Sequence, residues 1–426
     1  MKNILQKLLA FLTRKIINKY KPTVIGITGS IGKTSAKEAI FSVLKNKYRV
    51  RQSAKNYNNE IGLPLTVIGE ESGGSSILGW LKVFIKAWKL LSKQDKSYPE
   101  ILVLEMGADK PGDIEYLTNL VPCTISVVTK VAPAHIEFFG SIEAIAREKQ
   151  KIITHLKKDN FAILNFDDDN VRAMEKNTKA QVLSFGYSAD SKVRAIDLED
   201  QGQGLEIQGI KFKISYNGSS VPVFLPGVIG AHQIYSAMAA AAVGGALGMN
   251  LIDISIGLKE YRAPKGRMNL IKGIKNSLIV DDTYNSSPEA AKAAVEAVAK
   301  INPKDVNAKI AIMGDMLELG SMTEEAHYTL GKLIAENGYN YIIAVGKYRD
   351  YIIKGARENG LEGFTQGFEN SEIAKNQIRQ IINDKDVVLV KGSQGSRMEK
   401  IVKALMLEPE KAEELLIRQT NSWLRN

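Results

Sequence analysis

Four short runs in the first half of the chain are apolar almost without interruption: TVIGIT (23–28), ILVLEM (101–106), TISVVT (124–129) and FAILNF (161–166). Runs of that length, rich in β-branched residues, read as strands buried on both faces. Helix-period segments lie between them, for example 141–156. Strand–helix alternation points to a parallel sheet covered on both sides. From 181 to 226 the pattern turns to alternation, broken by Gln201-Gly202-Gln203-Gly204 and Asn217-Gly218. That predicts a small antiparallel patch. The Ala-rich segment 231–249 reads as a helix whose Gly244, Gly245 and Gly248 allow close packing. After Pro264-Lys265-Gly266 a second α/β series begins: SLIVDD (277–282), KIAIMGD (309–315), YIIAVGK (341–347) and DVVLVKG (386–392). The expected fold class is α/β. A basic amphipathic helix (1–21) precedes a central parallel-sheet domain with an antiparallel patch (22–262), followed by a Rossmann-like α/β domain (263–426).

Two helical segments stand apart. In 3–20, Ile4, Leu5, Leu8, Leu12 and Ile16 fall at helical spacing, with Lys7, Arg14 and Lys15 elsewhere on the wheel, and Lys21-Pro22 ends the pattern. Lys7 interrupts the apolar start and no small-residue cleavage site follows, so the segment is expected to be retained. In 77–91, ILGWLKVFIKAWKLL, the residues Lys82, Lys86, Lys89 and Lys93 share one face, and Trp80 and Trp88 belong to a broad apolar remainder. Neither stretch reaches the ~18 apolar residues of a bilayer span. Both suit packing on a core, with lysines in solvent. Both equally suit an interfacial helix, which makes peripheral membrane contact through 1–20 and 77–93 a functional expectation.

Composition narrows this picture. With 44% hydrophobic and 24% charged residues over 426 positions, disorder and small disulfide scaffolds are excluded. The net charge of +10 is concentrated: residues 1–51 hold twelve basic side chains against the single acid Glu38, and the remainder is close to neutral. A whole-surface nucleic-acid binder does not fit that distribution, and no nucleic-acid partner is expected. Cys123 is the only cysteine, so no intrachain disulfide can form. This suits a reducing, cytoplasmic compartment.

The first chemical signal is Gly26-Ile-Thr-Gly29-Ser30-Ile-Gly32-Lys33-Thr34-Ser35, lying after a predicted strand and opening a predicted helix. Glycines let backbone N–H groups approach phosphate oxygens, and a helix N-terminus favours negative charge. Lys33 would reach the β- and γ-phosphates, and Thr34 would hold Mg²⁺. The strict GxxxxGK[ST] spacing fails because Ile27 takes the first glycine position. The variant is TGSxGKT, and the central domain is read as a P-loop ATPase domain.

This loop resembles that of the Mur ligase family, the ATP-dependent amide ligases of cell-wall precursor synthesis. Further motifs follow in that family's order: Asn56-Tyr-Asn58-Asn59-Glu-Ile-Gly62-Leu-Pro64, Glu105-Met-Gly107, Pro133-Ala-His135 leading into a helix with Lys149, and Asn165-Phe-Asp167-Asp168. Then come Gly230-Ala-His232, Gly266-Arg267, Asp281-Asp282-Thr-Tyr284-Asn285, Met313-Gly314-Asp315-Met-Leu-Glu318 and Lys391-Gly-Ser393. NYNNEIGLP, MGDMLELG and the KGS element are most similar to the MurF type. Two departures stand out. The phosphate loop begins within thirty residues of Met1, leaving no room for the family's usual UDP-binding domain ahead of it. Gln233 also stands where the family has Asn, on the adenine side.

The resemblance implies a carboxylate activated by γ-phosphoryl transfer, then attacked by an amine. A peptide-bearing carboxylate is the acceptor, and an amino acid or dipeptide such as D-Ala-D-Ala is the amine. It implies ATP and two Mg²⁺, with Thr34 and Glu105 at one ion and His135 at the other, and a carbamylated Lys149. Taken alone, Lys149 reads as a solvated helix lysine; motif order is what raises it. Catalytic roles fall to Lys33, His135, Lys149 and Arg267. Nucleotide contacts fall to Gly29, Ser30, Gly32, Lys33, Thr34, Ser35, His232, Arg267, Asp282 and Asn285. Substrate contacts fall to Asn58 and Asn59 for the acceptor and to Asp315, Glu318, Lys391 and Ser393 for the amine. His327 receives no role, and His155 and Cys123 are read as structural. The competing readings are a P-loop ATPase without ligase chemistry and a membrane-associated nucleotide-binding scaffold.

Overall fold

The four apolar runs are neighbours in a nine-stranded sheet. The computed structural model describes residues 2–54, 57–133, 136–202, 204–301, 305–420 and 423. Its first sheet comprises β1 (Thr23–Thr28), β2 (Val50–Gln52), β3 (Ile101–Glu105), β4 (Ile125–Val128), β5 (Phe161–Asn165), β6 (Gln181–Gly186), β7 (Val193–Gln201), β8 (Gly209–Tyr216) and β9 (Ser219–Pro226). The spatial order is β2-β3-β1-β4-β5-β6-β7-β8-β9. The strands from β2 to β7 pair in parallel, whereas β7-β8 and β8-β9 are antiparallel. The antiparallel patch is therefore the far end of the main sheet and is shorter than the 181–226 expected, because β6 continues the parallel series from β5. The Ala-rich helix Ile234–Ala246 explains the join. Its small side chains let it lie flat in one core with Phe212, Ile214, Val223 and Leu225 of the patch and Ile25 and Ile27 of β1.

On the other face of this sheet lie α1 (Lys2–Tyr20), α2 (Lys33–Leu44) being on the Ala-rich side, then α3 (Gly62–Ile68) and α4 (Ile77–Ser92). Leu9 and Ile16 of α1 and Val83, Ala87 and Leu90 of α4 are buried in one cluster with Leu102 and Leu104 of β3. The expected apolar line of α1 is split. Leu5 and Leu12 pack partly on the core, and Ile4 and Leu8 are exposed. Helical periodicity identified a stripe, but the seat on the core selected Leu9, Thr13 and Ile16. Among the described residues no helix is long and apolar enough to cross a membrane.

The second sheet comprises β10 (Asn269–Lys272), β11 (Leu278–Asp282), β12 (Lys309–Gly314), β13 (Tyr341–Val345), β14 (Thr365–Phe368) and β15 (Val387–Lys391), in the order β10-β11-β15-β12-β13-β14. Only β10 runs antiparallel, against β11. The C-terminal ends of β1 and β3 face those of β11, β12 and β15 across a cleft. Ligands of open α/β sheets bind at such ends.

Candidate active site

β1 lies between β3 and β4, so its C-terminal end is flanked by Glu105 on one side and Thr129 on the other. The loop that follows is drawn tight against Thr129: a Cβ at Gly29 (φ +148) would collide with the Thr129 hydroxyl. Thr129 Oγ1 donates to Ile31 O at 2.6 Å, and Ser30 N donates to Lys130 O at 2.6 Å. Ser30 Oγ donates to Ala132 O at 2.9 Å and accepts from Ala132 N at 3.0 Å, so this hydroxyl ties the loop down. Gly32, left-handed at φ 87, starts α2, whose first turn carries no acidic residue and no side-chain cap. Its free N–H groups and dipole make an anion site. Lys33 Nζ donates to Gly29 O at 2.8 Å. Burial holds its pKa below the usual lysine value, with Arg267 adding to that and Glu105 opposing it. Ser35 is buried behind the loop.

Thr34 Oγ1 donates to Glu105 Oε2 at 3.1 Å, and Asn58 Nδ2 reaches Glu105 Oε1 at 3.4 Å. All three line a cavity of about 620 Å³ with Lys33 and Arg267. A nearly buried carboxylate beside a hydroxyl at the loop suits Mg²⁺, which takes oxygen ligands and keeps waters. Asn59 is placed differently: its Oδ1 accepts from Ile61 N at 3.2 Å and Gly62 N at 2.9 Å, so it caps the start of α3. His135 lies outside the described residues. Lys149, on the helix Ile142–Thr154, is buried, with its pKa lowered to about 7 by burial and by the nearby Lys33. A neutral amine is what carbamylation by CO₂ requires.

The opposite wall comes from the second sheet. Arg267 stacks over Tyr284 with its guanidinium 4.2 Å from the ring centroid, and both line the cavity with Asn285, Glu318 and Ser393. Glu318 takes a left-handed conformation, φ 63, at the turn of its loop. Lys391, assigned from sequence to the amine substrate, is placed with Asp282 instead. Its buried Nζ donates to Asp282 Oδ2 at 2.5 Å and to Asn285 O at 3.0 Å. Lys391 and Asp282 border a second cavity with His232 and Gln233. The Asp315 carboxylate is turned to the β13 end, accepting from Lys347 N at 2.9 Å and Tyr348 N at 3.0 Å. Ser393 Oγ accepts from Leu317 N at 3.0 Å and so pins the MGDMLELG loop, while still bordering the cavity. His232 is pushed down to about 4 by burial, with Asp282 opposing and Lys391 and Arg267 adding to it, so it is neutral near pH 7. Gln233 Nε2 reaches Arg267 O at 3.4 Å, joining the two halves beside this second cavity.

Three features escaped sequence reasoning. His327 is fully buried, and its Nε2 accepts from Met316 N at 2.9 Å, bracing the MGDMLELG loop. Nothing in its helical context signals that. Tyr235 donates to Asp167 Oδ2 at 2.9 Å and meets Tyr187 edge-on, walling the cavity that His232 and Asp282 border. Its place two residues after Gln233 was the available hint. Trp423 borders the main cavity, held between Arg397 and Arg418. His155 Nε2 accepts from Cys123 N at 3.1 Å, and the buried Cys123 thiol is pushed up to about 12, as structural roles require.

The chain is similar to known proteins over most of its length. The Mur ligase middle domain matches residues 84–244, and the Mur ligase, glutamate ligase domain matches 266–394. The UDP-N-acetylmuramoyl-tripeptide–D-alanyl-D-alanine ligase of Buchnera aphidicola subsp. Baizongia pistaciae is 31% identical over 92% of this chain and 76% of its own length. The Bacillus subtilis enzyme of the same name is 29% identical over 93% of this chain and 79% of its own. The crystal structure of MurF ligase from Thermotoga maritima in complex with ADP superposes with a TM-score of 0.76 at 29% identity, covering 95% of this chain and 84% of that one. A relative above 30% identity, matched across most of its length, with both family domains in order on this cleft, makes the chain a ligase of the Mur ligase family, on its MurF-type branch.

Proposed function

We propose that this ligase uses ATP to activate the terminal carboxylate of a cell-wall precursor peptide and joins it to the amine of D-alanyl-D-alanine. The observation that carries this reading is the facing of Lys33, Thr34 and Glu105 on one sheet by Arg267, Asn285 and Ser393 on the other, across one cavity. A carboxylate oxygen attacks the γ-phosphorus, the β–γ bridging P–O bond breaks, and ADP leaves. The amine nitrogen then attacks the acyl carbon, the C–O bond to phosphate breaks, and the amine gives up its proton.

The α2 N-terminus and Lys33 hold the phosphates, and Arg267 supplies positive charge to the transferring phosphoryl from the opposite wall. His232, Asp282 and Gln233 lie on the nucleoside side. Thr34 and Glu105 would hold Mg²⁺, which would supply neutralisation of phosphate charge. Lys149, whose lowered pKa leaves part of its amine unprotonated near pH 7, would carry a carbamate at a second ion with His135. Asn58 borders the acceptor side, and Glu318 and Ser393 border the amine side. The domains, 22–262 and 263–426, hinge near 263 and exclude water that would hydrolyse the acyl phosphate. The enzyme works in the cytoplasm, with 1–20 and 77–93 turned to the membrane boundary.

The test is ADP and phosphate release with UDP-MurNAc-tripeptide, with and without D-alanyl-D-alanine. Dipeptide-dependent ADP formation with one amide formed per ADP supports the reading. Turnover independent of any amine would instead indicate a P-loop ATPase.

A further inference from the structure

The apolar circumference of α4 is wider than the core can use. Val83, Ala87 and Leu90 are buried, yet a second stripe on the opposite side, Ile77, Leu78, Leu81, Ile85 and Trp88, is exposed, with Ile77 at 86% and Trp88 at 67%. These five recur at helical spacing, so they form one line. The neighbouring α1 repeats the arrangement. Leu9 and Ile16 are buried while Ile4, Leu8 and Phe11 are exposed, Ile4 at 73%. The two helices meet at their C-terminal ends, where Lys19 Nζ donates to Leu90 O at 2.7 Å and to Lys93 O at 2.7 Å. Both bury their inner stripes in the same cluster, so both outer stripes look away from the same side of the protein. Eight exposed large apolar side chains on two adjacent helices are not the scattered exposure expected of an ordinary surface.

Charge identifies the occupant. Neither helix contains an acidic residue. Lys82, Lys86, Lys89 and Lys93 run along one flank of the α4 stripe, and Lys15 continues the α1 line, its Nζ 5.6 Å from the Phe11 ring. Among the described residues, Lys82 pairs with Glu70 at 3.1 Å. An apolar stripe with an exposed Trp and a cationic border fits a bilayer interface, where rings and aliphatic groups enter the headgroup boundary and lysines meet anionic phosphates. A protein partner or second copy would need a matching acidic rim, and the helices offer none to each other's copy. We infer that α1 and α4 together form a docking face for an anionic lipid bilayer.

The face is joined to the acceptor side of the cleft. Gln6 Nε2 donates to Glu60 Oε1 at 2.8 Å, next to Asn58 and Asn59, and Ser72 N, ahead of α4, donates to the Tyr57 hydroxyl at 2.9 Å. Docking would therefore set the acceptor end of the cleft close to the membrane. The inference does not depend on which carboxylate is activated.

Flotation of the full chain with vesicles of phosphatidylcholine alone and with ~30% phosphatidylserine tests it. Binding is expected only to the anionic vesicles, weakening with salt. Lys82→Glu and Lys89→Glu should each lower binding by at least about fivefold, the effect of removing one lysine charge. Leu81→Glu with Trp88→Glu should abolish it. These exposed sites lie outside the catalytic cleft, so ATP binding should be unchanged, which separates lost docking from unfolding or a failed active site. A full chain that stays out of the anionic fraction would overturn the inference. So would equal binding to neutral vesicles, or a dimer that Trp88→Glu dissociates, which would make the face a protein interface.

Discussion

The two walls of the cleft are built on different principles. On the first-sheet wall, Lys33, Thr34 and Glu105 touch mainly the loop and one another, and they line the cavity. On the second-sheet wall, several polar residues of equally prominent motifs are consumed by the protein itself. Lys391 is locked to Asp282, Asp315 to the amides of residues 347 and 348, and Ser393 to Leu317 N. The first wall presents groups to a ligand. The second spends much of its polar chemistry on holding loops at strand ends, while Arg267, Asn285, Glu318 and Ser393 border the cavity. A motif residue can thus be required for function as a contact or as part of the frame.

Substitutions separate the two kinds. The largest stability effect is expected at Lys391. Lys391→Met leaves the buried Asp282 side chain without its partner, costing about 3–5 kcal/mol, whereas Lys391→Met with Asp282→Leu should recover much of it. Urea unfolding measures both, and an unchanged midpoint for the single variant would break the comparison. Lys33→Ala should do the reverse, lowering kcat by roughly 10²–10³-fold with little change in the unfolding midpoint. Retained ligation would remove Lys33 from the phosphate site.

His327→Ala should cost about 1–3 kcal/mol by leaving Met316 N unpaired. The wild-type contribution should also fade with acid. Burial lowers the folded pKa of His327 below 6.5, so protonation is disfavoured in the fold and stability falls as pH drops below the unfolded value. A pH-independent difference between wild type and His327→Ala would rule out that origin. Asn59→Ala should cost about 1 kcal/mol through the lost cap of α3, with KM for the acceptor less affected than by Asn58→Ala.

Lys149 sharpens the comparison by pH. Its folded pKa of about 7 lies below the free value of 10.5, so the fold binds fewer protons than the unfolded chain between them, and stability rises with pH across that window. The neutral amine, and with it a ¹³C-carbamate signal from labelled bicarbonate, is expected to grow as pH passes 7 and to vanish in Lys149→Arg. A signal that persists in that variant would place the carbamate elsewhere.

Much of the fold was legible in the chain because burial on two faces leaves an unmistakable record. TVIGIT, ILVLEM, TISVVT and FAILNF became adjacent strands of the sheet, and SLIVDD through DVVLVKG formed the core of the second. The short edge strands β2, β10 and β14 were missed because partial burial writes a weak pattern. The phosphate loop was equally legible, since its glycines and GKT serve local backbone geometry. The role of Lys391 was not, because its partner Asp282 lies 109 residues away, on a neighbouring strand.

The amphipathic helices mark the same boundary. From the chain alone it followed that 3–20 and 77–91 are helical, apolar along part of their circumference and basic elsewhere, because periodicity is a property of consecutive residues. Which apolar stripe is buried was decided only by tertiary structure. The core accepts one side of each helix, through Leu9, Ile16, Val83, Ala87 and Leu90, and leaves Ile4, Phe11, Ile77 and Trp88 facing water. A sequence records that a side chain is apolar; the shape and capacity of the core it meets determine whether that surface is buried.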